Sequence, residues 1–146
     1  MATYTCNFTI PGAGRGGQLT GAGLGGGQPP VLGSTDTLTV VVKWAGQNST
    51  APAQLTGYFV ISAAPASPAT QVAPSPFLNG SNYTCFAAQT ASASTGPGAV
   101  TYTFAGLQYG GGQPGKYELT FTAQAGTIGQ PGFTQWSADP EFDTSS

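Results

Sequence analysis

The 146-residue chain contains no histidine and only eight charged side chains, three basic and five acidic. Without histidine it cannot form a Ser-His-Asp or Cys-His nucleophile, nor a histidine-ligated zinc, iron or blue-copper centre. Its cations, Arg15, Lys43 and Lys116, are too few and too scattered to neutralise the phosphates of a nucleic acid. No apolar run approaches the ~20 residues of a membrane-spanning helix. We therefore expect neither nucleic-acid binding nor a membrane span.

Branched aliphatic residues are also scarce, whereas glycine and proline are abundant, with 23 and 12 residues. Disordered chains usually combine low hydrophobicity with high charge. Here the net charge is −2 and aromatic residues make up 11% of the chain. We predict a folded domain with a small core and a neutral surface rich in threonine and glutamine. Such a surface tolerates self-association, because colloidal repulsion is weak near zero net charge.

The cellular location is left open by the sequence. No apolar segment of the kind found in secretory signals follows Met1. The chain is compatible with a cytoplasmic protein and with one that is exported, or carried in a particle, by another route.

Apolar and polar residues alternate with a period of two along most of the chain, which is typical of half-buried strands. The pattern recurs at residues 3–10, 36–44, 82–88, 99–105 and 116–125. Two further candidate strands are 54–64, which is apolar on both faces as in a central strand, and 133–142, which we expect to be extended. Seven candidate strands separated by turn signals predict an all-β fold. We expect an antiparallel β-sandwich, Ig-like or jelly-roll, of about seven to eight strands in a single domain spanning residues 1–146.

Two long connections interrupt this pattern, a glycine-rich loop at 11–33 and a proline-rich loop at 64–76. Residues 12–17 match the pattern G-x-G-x-x-G of dinucleotide sites. That pattern requires a helix immediately after it. The following residues are glycine-rich and end in Pro29-Pro30, so they cannot form the helix.

The two cysteines lie in similar surroundings, because Tyr4-Thr5-Cys6 recurs as Tyr83-Thr84-Cys85. A disulfide between Cys6 and Cys85 would join the two sheets and close a loop of about 80 residues, which the chain-entropy model values at roughly 4 kcal/mol. The alternative is a pair of buried free thiols, as in a reducing compartment. Both readings stay open at the level of sequence.

Asp139, Glu141 and Asp143 form the one acidic cluster. In an extended strand they would share one face and could supply three oxygen ligands to Ca²⁺. The alternative is a solubilising edge whose charges discourage strand addition. Apart from this candidate Ca²⁺ site, we expect no cofactor.

Exposed aromatic rings could stack on sugars on a surface rich in Asn, Gln and Thr. Tyr109 lies beside three glycines and is the better candidate for an exposed ring. Trp136 is the second candidate. Trp44 continues the inward face of its strand, so we expect it in the core.

Residues 116–123 (KYELTFTA) and 136–141 (WSADPE) resemble the ending of small uncharacterised bacterial Ig-like or cupredoxin-like β-sandwich proteins. The strand at 36–44 is similar to the central Val-x-Trp strand of those proteins. The resemblance covers about a third of the chain and implies the fold without implying an activity. The missing histidine removes any inherited copper site.

We predict a non-enzymatic structural or assembly protein, a subunit of a particle, filament or surface layer whose partner is another copy of itself. The strand at 1–10, followed by a long arm, could exchange with a neighbouring subunit. The alternative is a carbohydrate- or other ligand-binding module that could depend on Ca²⁺. An enzyme would need acid–base groups that the chain scarcely has.

Overall fold

A computed structural model describes most of the chain, and it shows strands without any helix in the described part. The described residues are 2–10, 17–24, 30–33, 35–44, 54–61, 71–72, 84–92, 98–107, 119–126, 131 and 133–144. The strands are β1 (Thr3–Ile10), β2 (Gly17–Gln18), β3 (Thr20–Ala22), β4 (Val31–Leu32), β5 (Thr37–Trp44), β6 (Gln54–Ile61), β7 (Gln71–Val72), β8 (Thr84–Ser92), β9 (Gly98–Ala105), β10 (Leu119–Ala125), β11 (Thr134–Ala138) and β12 (Asp143–Thr144). The predicted all-β class is confirmed for these residues.

Each of the seven longer strands overlaps one of the seven candidate strands. The five short strands are a correction, because four of them lie in connections predicted as loops. The glycine-rich loop 11–33 contains β2, β3 and β4, and the proline-rich loop 64–76 contains β7. The main chain of a glycine-rich segment can form strand hydrogen bonds without apolar side chains. The alternation of apolar and polar residues therefore does not predict these short strands. Residues 11–16, 25–29, 64–70 and 73–76 lie outside the described part.

The strands form two large sheets and one small sheet. The four-stranded sheet has the order β3-β1-β5-β9, and the six-stranded sheet has the order β2-β11-β10-β6-β8-β7. The strands β4 and β12 form a separate pair.

Both large sheets are mixed, so the predicted antiparallel arrangement is confirmed only in part. β1 runs parallel to β5 over its whole length, from Thr3 opposite Thr37 to Ile10 opposite Trp44. The pairs β2–β11 and β4–β12 are parallel as well. Parallel neighbours need a long crossover, which the chain between β1 and β5 provides. A strand shows the same alternation of apolar and polar residues whether it pairs parallel or antiparallel. The sequence pattern therefore cannot predict the direction of pairing.

The buried side chains of the two large sheets form one core. In β1, for example, Phe8 and Ile10 are each 1% exposed while Thr5 and Asn7 are exposed. Rings from the two sheets meet directly, Phe59 with Phe104 at 4.8 Å between centroids and Phe8 with Phe121 at 6.0 Å. Aromatic pairs of this kind contribute about 0.5–1.5 kcal/mol beyond the area they bury. The core members are Cys6, Phe8, Ile10, Leu19, Leu32, Leu38, Val40, Val42, Leu55, Phe59, Val100, Tyr102, Phe104, Leu107, Phe121, Ala123, Ala125, Trp136 and Phe142.

Gly57 of β6 lies against one ring from each large sheet, Tyr102 and Phe121. A Cβ at this position would lie 2.9 Å from Phe121 Cζ and 3.0 Å from Tyr102 Cε2. Tyr102, on the opposite sheet, also donates its buried hydroxyl to the Leu55 carbonyl at 2.6 Å. Burial raises the pKa of the Tyr102 hydroxyl, which favours this protonated donor. The missing side chain of Gly57 therefore makes room for the two rings.

The glycine-rich segment connects the edges of the two large sheets. β2 pairs with β11 at one edge, and β3 pairs with β1 at the neighbouring edge. Leu19, between β2 and β3, is 3% exposed and donates its N–H to the Ser137 carbonyl at 2.8 Å. Gly21 has a φ of +124° and lies so close to Asn7 that a Cβ could not fit. The crossing from one sheet to the other thus depends on glycine.

Asp36 fastens the start of the chain to the beginning of β5. Its carboxylate accepts the N–H of Ala2 at 2.7 Å and the N–H of Gly33 at 2.8 Å. The Thr37 N–H in turn donates to the Ala2 carbonyl at 2.8 Å. These bonds, first from Gly33 and then from Ala2, hold the pKa of the Asp36 carboxyl below its usual value of 3.8.

We predict that Gly57→Ala lowers the free energy of unfolding by about 1–3 kcal/mol, because the added methyl group meets two core rings. The measurement is the urea midpoint of unfolding. Gly33→Ala is the matched control, since a Cβ there makes an ordinary contact at 3.5 Å. Equal stabilities of the two variants would show that the sheets do not meet at Gly57.

We also predict that ionised Asp36 stabilises the fold. Its contribution is fully present at pH values above the ordinary pKa of an aspartate, and it is lost as the pH falls through the lower pKa that Asp36 has in the folded protein. The reason is that protonation removes the acceptor charge facing Ala2 and Gly33. Urea unfolding of the wild type and of Asp36→Asn at pH 7 and pH 2.5 tests this. The stability difference should shrink at pH 2.5, and an equal difference at both pH values would contradict the assignment.

Candidate interaction edge

β9 forms an edge of the four-stranded sheet and carries no charged side chain. Val100, Tyr102 and Phe104 point into the core and are at most 4% exposed. The intervening side chains are small and exposed; they are Ala99, Thr101, Thr103 and Ala105. Threonine suits a pleated surface because of its branched Cβ. One face of β9 is therefore packed in the core, and the other face exposes small uncharged side chains.

The length of β9 distinguishes it from the other edges of the large sheets. It pairs with β5 along all of its eight residues, and no other described strand pairs with it. The remaining edge strands, β2, β3 and β7, are two or three residues long, and β7 leaves residues 87–92 of β8 without a described neighbour on that side. Proteins protect sheet edges by making the edge strands very short, or by placing charge or proline on them. β9 has neither charge nor proline, so it is the edge best suited to pair with a further strand.

Two hydrogen bonds establish which main-chain groups of β9 point away from the sheet. The N–H of Gly106 donates to the Asp36 carbonyl at 3.4 Å, so the even-numbered residues of this ladder face β5. The odd-numbered residues therefore direct their N–H and C=O groups outward. In agreement, the Thr103 carbonyl accepts the side-chain amide of Gln89 from the other large sheet, at 2.5 Å. Gln89 covers one outward acceptor of the edge.

The sequence predicts the strand at 99–105 but does not show that it lies at an edge. Its lack of charge and proline is typical of central strands, so the residue types favour a central position over the edge that the structure shows. The role of Gln89 has no sequence signal, because the residue reaches Thr103 from a different sheet.

A second polar feature lies on the face of the six-stranded sheet opposite the core. Tyr58 is fully buried and donates to Gln124 Oε1 at 2.6 Å. Gln135 Nε2 contacts the Tyr58 hydroxyl at 2.7 Å and Gln124 Oε1 at 2.9 Å. Within the described residues these three side chains bond one another, and Gln124 Nε2 also donates to the Gly126 carbonyl at 2.9 Å. They form a network of neutral hydrogen-bonding groups.

The candidate sugar-binding rings are not brought together by the described structure. Trp136 is 2% exposed and belongs to the core, so it offers no ring face to a sugar. Tyr109 lies outside the described residues. The side chain of Trp44 also lies outside them, although its main chain is part of β5.

The acidic cluster does not share one strand face, which corrects the expectation of an extended segment. β11 ends at Ala138, and Glu141 has a φ of 55°, in the left-handed region. The turn is closed by the Glu141 N–H, which donates to Asp139 Oδ1 at 2.8 Å. Both of these carboxylates are exposed, and the side chain of Asp143 lies outside the described part. Within that part, no three His, Cys, Asp or Glu side chains could hold a metal together.

Cys6 is a fully buried free thiol in the four-stranded sheet. Its Sγ donates to the Pro140 carbonyl at 3.9 Å. Burial, together with the negative charge of Glu141, raises the Cys6 pKa from 9.0 to about 11. Cys85 belongs to β8 of the six-stranded sheet, and its side chain lies outside the described residues. The disulfide therefore stays a prediction, with Cys6 in the free form here.

Comparison with known proteins gives no indication of function for this chain. No family model, no curated protein and no solved structure matches the chain. Among the described residues, no helix has the length and apolar character needed to cross a membrane.

We predict that the Cys6 thiol reacts slowly in the folded protein. A pKa of about 11 makes the thiolate at pH 8 roughly a hundredfold scarcer than it is at the ordinary value. The test is labelling with a disulfide reagent in a Cys85→Ser variant, so that Cys6 alone reports. The same variant in denaturant is the control and should react at least about a hundredfold faster. Equally rapid labelling of the native protein would contradict the burial of Cys6.

Proposed function

We propose that the chain is a non-enzymatic structural protein that assembles by addition of a strand at β9. The observation that carries the proposal is the eight-residue uncharged edge that β9 presents, the longest in the described part of the large sheets. Strand addition uses main-chain hydrogen bonds and needs no special side chains. It therefore suits a chain with few charged residues.

The electrostatics of this edge favour association. Lys43 lies opposite Ala99 in the sheet and is the one basic side chain in the described part of the chain. The outward-facing side chains of β9 carry no charge of their own. A strand approaching this edge would meet neither like-charge repulsion nor a large desolvation cost.

The fold proposed for this subunit is a sandwich of the Ig-like or jelly-roll type. The ring contacts between Phe59 and Phe104, and the bond from Tyr102 to the Leu55 carbonyl, support face-to-face packing of the two large sheets. Sheets that share a core in this way pack about 10 Å apart. The resemblance to small bacterial Ig-like proteins stays a prediction.

The N-terminal strand is a less suitable interface than β9. β1 lies inside the four-stranded sheet, between β3 and β5. It contributes Cys6, Phe8 and Ile10 to the core, each at most 1% exposed. Removing residues 1–10 would take away part of the core, so we place the interface at the opposite end of the sheet.

The proposal predicts a molar mass that rises with concentration, measured by light scattering or sedimentation from about 1 µM to 1 mM. Thr101→Pro should keep the protein monomeric, because proline removes an outward N–H that a new strand would use. The substitution leaves the β5 ladder intact, since Thr101 faces away from β5.

Thr101→Ser is the matched control, because it keeps both the N–H group and the polarity of the side chain. Circular dichroism and thermal unfolding should show that both variants are folded. A wild type that stays monomeric up to 1 mM would refute the proposal. Association that Thr101→Pro does not weaken would refute the assignment to β9.

A further inference from the structure

We infer that the strand added at β9 is the β9 strand of a second copy, antiparallel about a twofold axis at Tyr102, so that the assembly is a closed dimer. This inference rests on the proposed function and names its partner. The result would be one continuous eight-stranded sheet built from two four-stranded sheets.

The lengths of the edges argue for this partner. Beyond its pairing with β7 at Cys85 and Phe86, β8 leaves residues 87–92 as a second edge in the described part of the chain. β9 offers eight residues, so placing β9 against β9 pairs the longest described edges. The strands β2, β3 and β7 offer two or three residues each. Head-to-tail pairing of β9 with one of these short strands would satisfy few main-chain groups. Self-pairing about a twofold axis closes the assembly, whereas head-to-tail contacts propagate into filaments.

The alternation of buried and exposed residues limits the register. Residues directly opposed in an antiparallel pair lie on the same face, so buried residues must oppose buried ones. With Tyr102 opposite its own copy, all residues from 99 to 105 find a partner, and Thr101 lies opposite Thr103. A register with Thr101 opposite its own copy also obeys this rule and pairs residues 98–104, but it places Gly98 opposite Phe104. The register at Tyr102 instead makes two Thr101–Thr103 pairs, which are favourable cross-strand pairs.

The outward main-chain groups suit this register. Thr101 and Thr103 both point their N–H and C=O groups away from β5, as the Gly106 and Gln89 hydrogen bonds indicate. Opposed residues of this kind exchange two hydrogen bonds per pair. Thr–Thr is a favourable cross-strand pair, and no like charges oppose one another anywhere along the strand.

Gln89 competes with the partner strand. Its amide occupies the Thr103 carbonyl, which is the acceptor that the partner's N–H at position 101 would use. The side chain of Gln89 is partly exposed and can be displaced. Gln89 therefore weakens the dimer and protects the edge of the monomer.

Charge pairs at positions 101 and 103 test the register directly. The double variants Thr101→Lys/Thr103→Lys and Thr101→Glu/Thr103→Glu should each dimerise at least about tenfold more weakly than the wild type, because like charges oppose each other. An equimolar mixture of the two should form a heterodimer. Thr101→Lys/Thr103→Glu should dimerise by itself, because each lysine then faces a glutamate. The measurement is the dimer dissociation constant from sedimentation at low salt.

A second variant tests the role of Gln89. Gln89→Ala should tighten the dimer about threefold to tenfold, by freeing one main-chain acceptor. Gln18→Ala is the matched control, since Gln18 is an exposed glutamine on another edge strand and should leave the dissociation constant unchanged.

The outcomes separate this inference from the proposed function. A wild type that never associates overturns both. If Thr101→Pro blocks association but the charge variants fail to complement one another, the edge is used by a different strand and only the twofold pairing is overturned. Open-ended growth into filaments would likewise overturn the closed dimer and leave strand addition standing.

Discussion

The contact of Tyr102 and Phe121 with Gly57 determines how the two large sheets fit together. Tyr102 belongs to the four-stranded sheet, while Phe121 and Gly57 lie on neighbouring strands of the six-stranded one. Because Gly57 has no side chain, the rings can approach the β6 main chain closely enough for the Tyr102 hydroxyl to reach the Leu55 carbonyl. That bond also anchors β9, so the edge proposed for assembly is supported from the core.

The scarcity of charged side chains determines which interactions stabilise the fold. With few ionic groups, the fold relies on ring contacts, on main-chain pairing and on neutral networks such as that of Tyr58, Gln124 and Gln135. Among the described residues, the carboxylates of Asp36 and Asp139 accept main-chain N–H groups. A surface of this kind discriminates between partners by shape and register, because electrostatic steering is weak.

The sequence predicts the positions of the seven longer strands and their buried faces, because a period of two is a local property. It does not predict strand order or direction, which depend on contacts between distant residues. The parallel pairing of β1 with β5 and the edge position of β9 are of this kind. The short strands β2 and β3 were missed because their glycines carry no hydrophobic pattern.

The candidate sites also depend on features that the local sequence pattern does not predict. Trp136 was a candidate for an exposed ring, but it is 2% exposed and belongs to the core. The acidic residues were placed on one strand face, but the left-handed backbone at Glu141 turns the chain between them. Glutamate gives no advance signal for that conformation, which is uncommon for residues other than glycine, asparagine and aspartate.

The strand pairs between the first and last parts of the chain have a consequence for its synthesis. β2 completes the six-stranded sheet only by pairing with β11, and the Cys6 thiol meets the carbonyl of Pro140. Neither contact can form on a ribosome until residues 136–140 have emerged. Contacts so distant in sequence slow folding. Until then the apolar strands of the nascent segment must stay soluble with very little charge to help them.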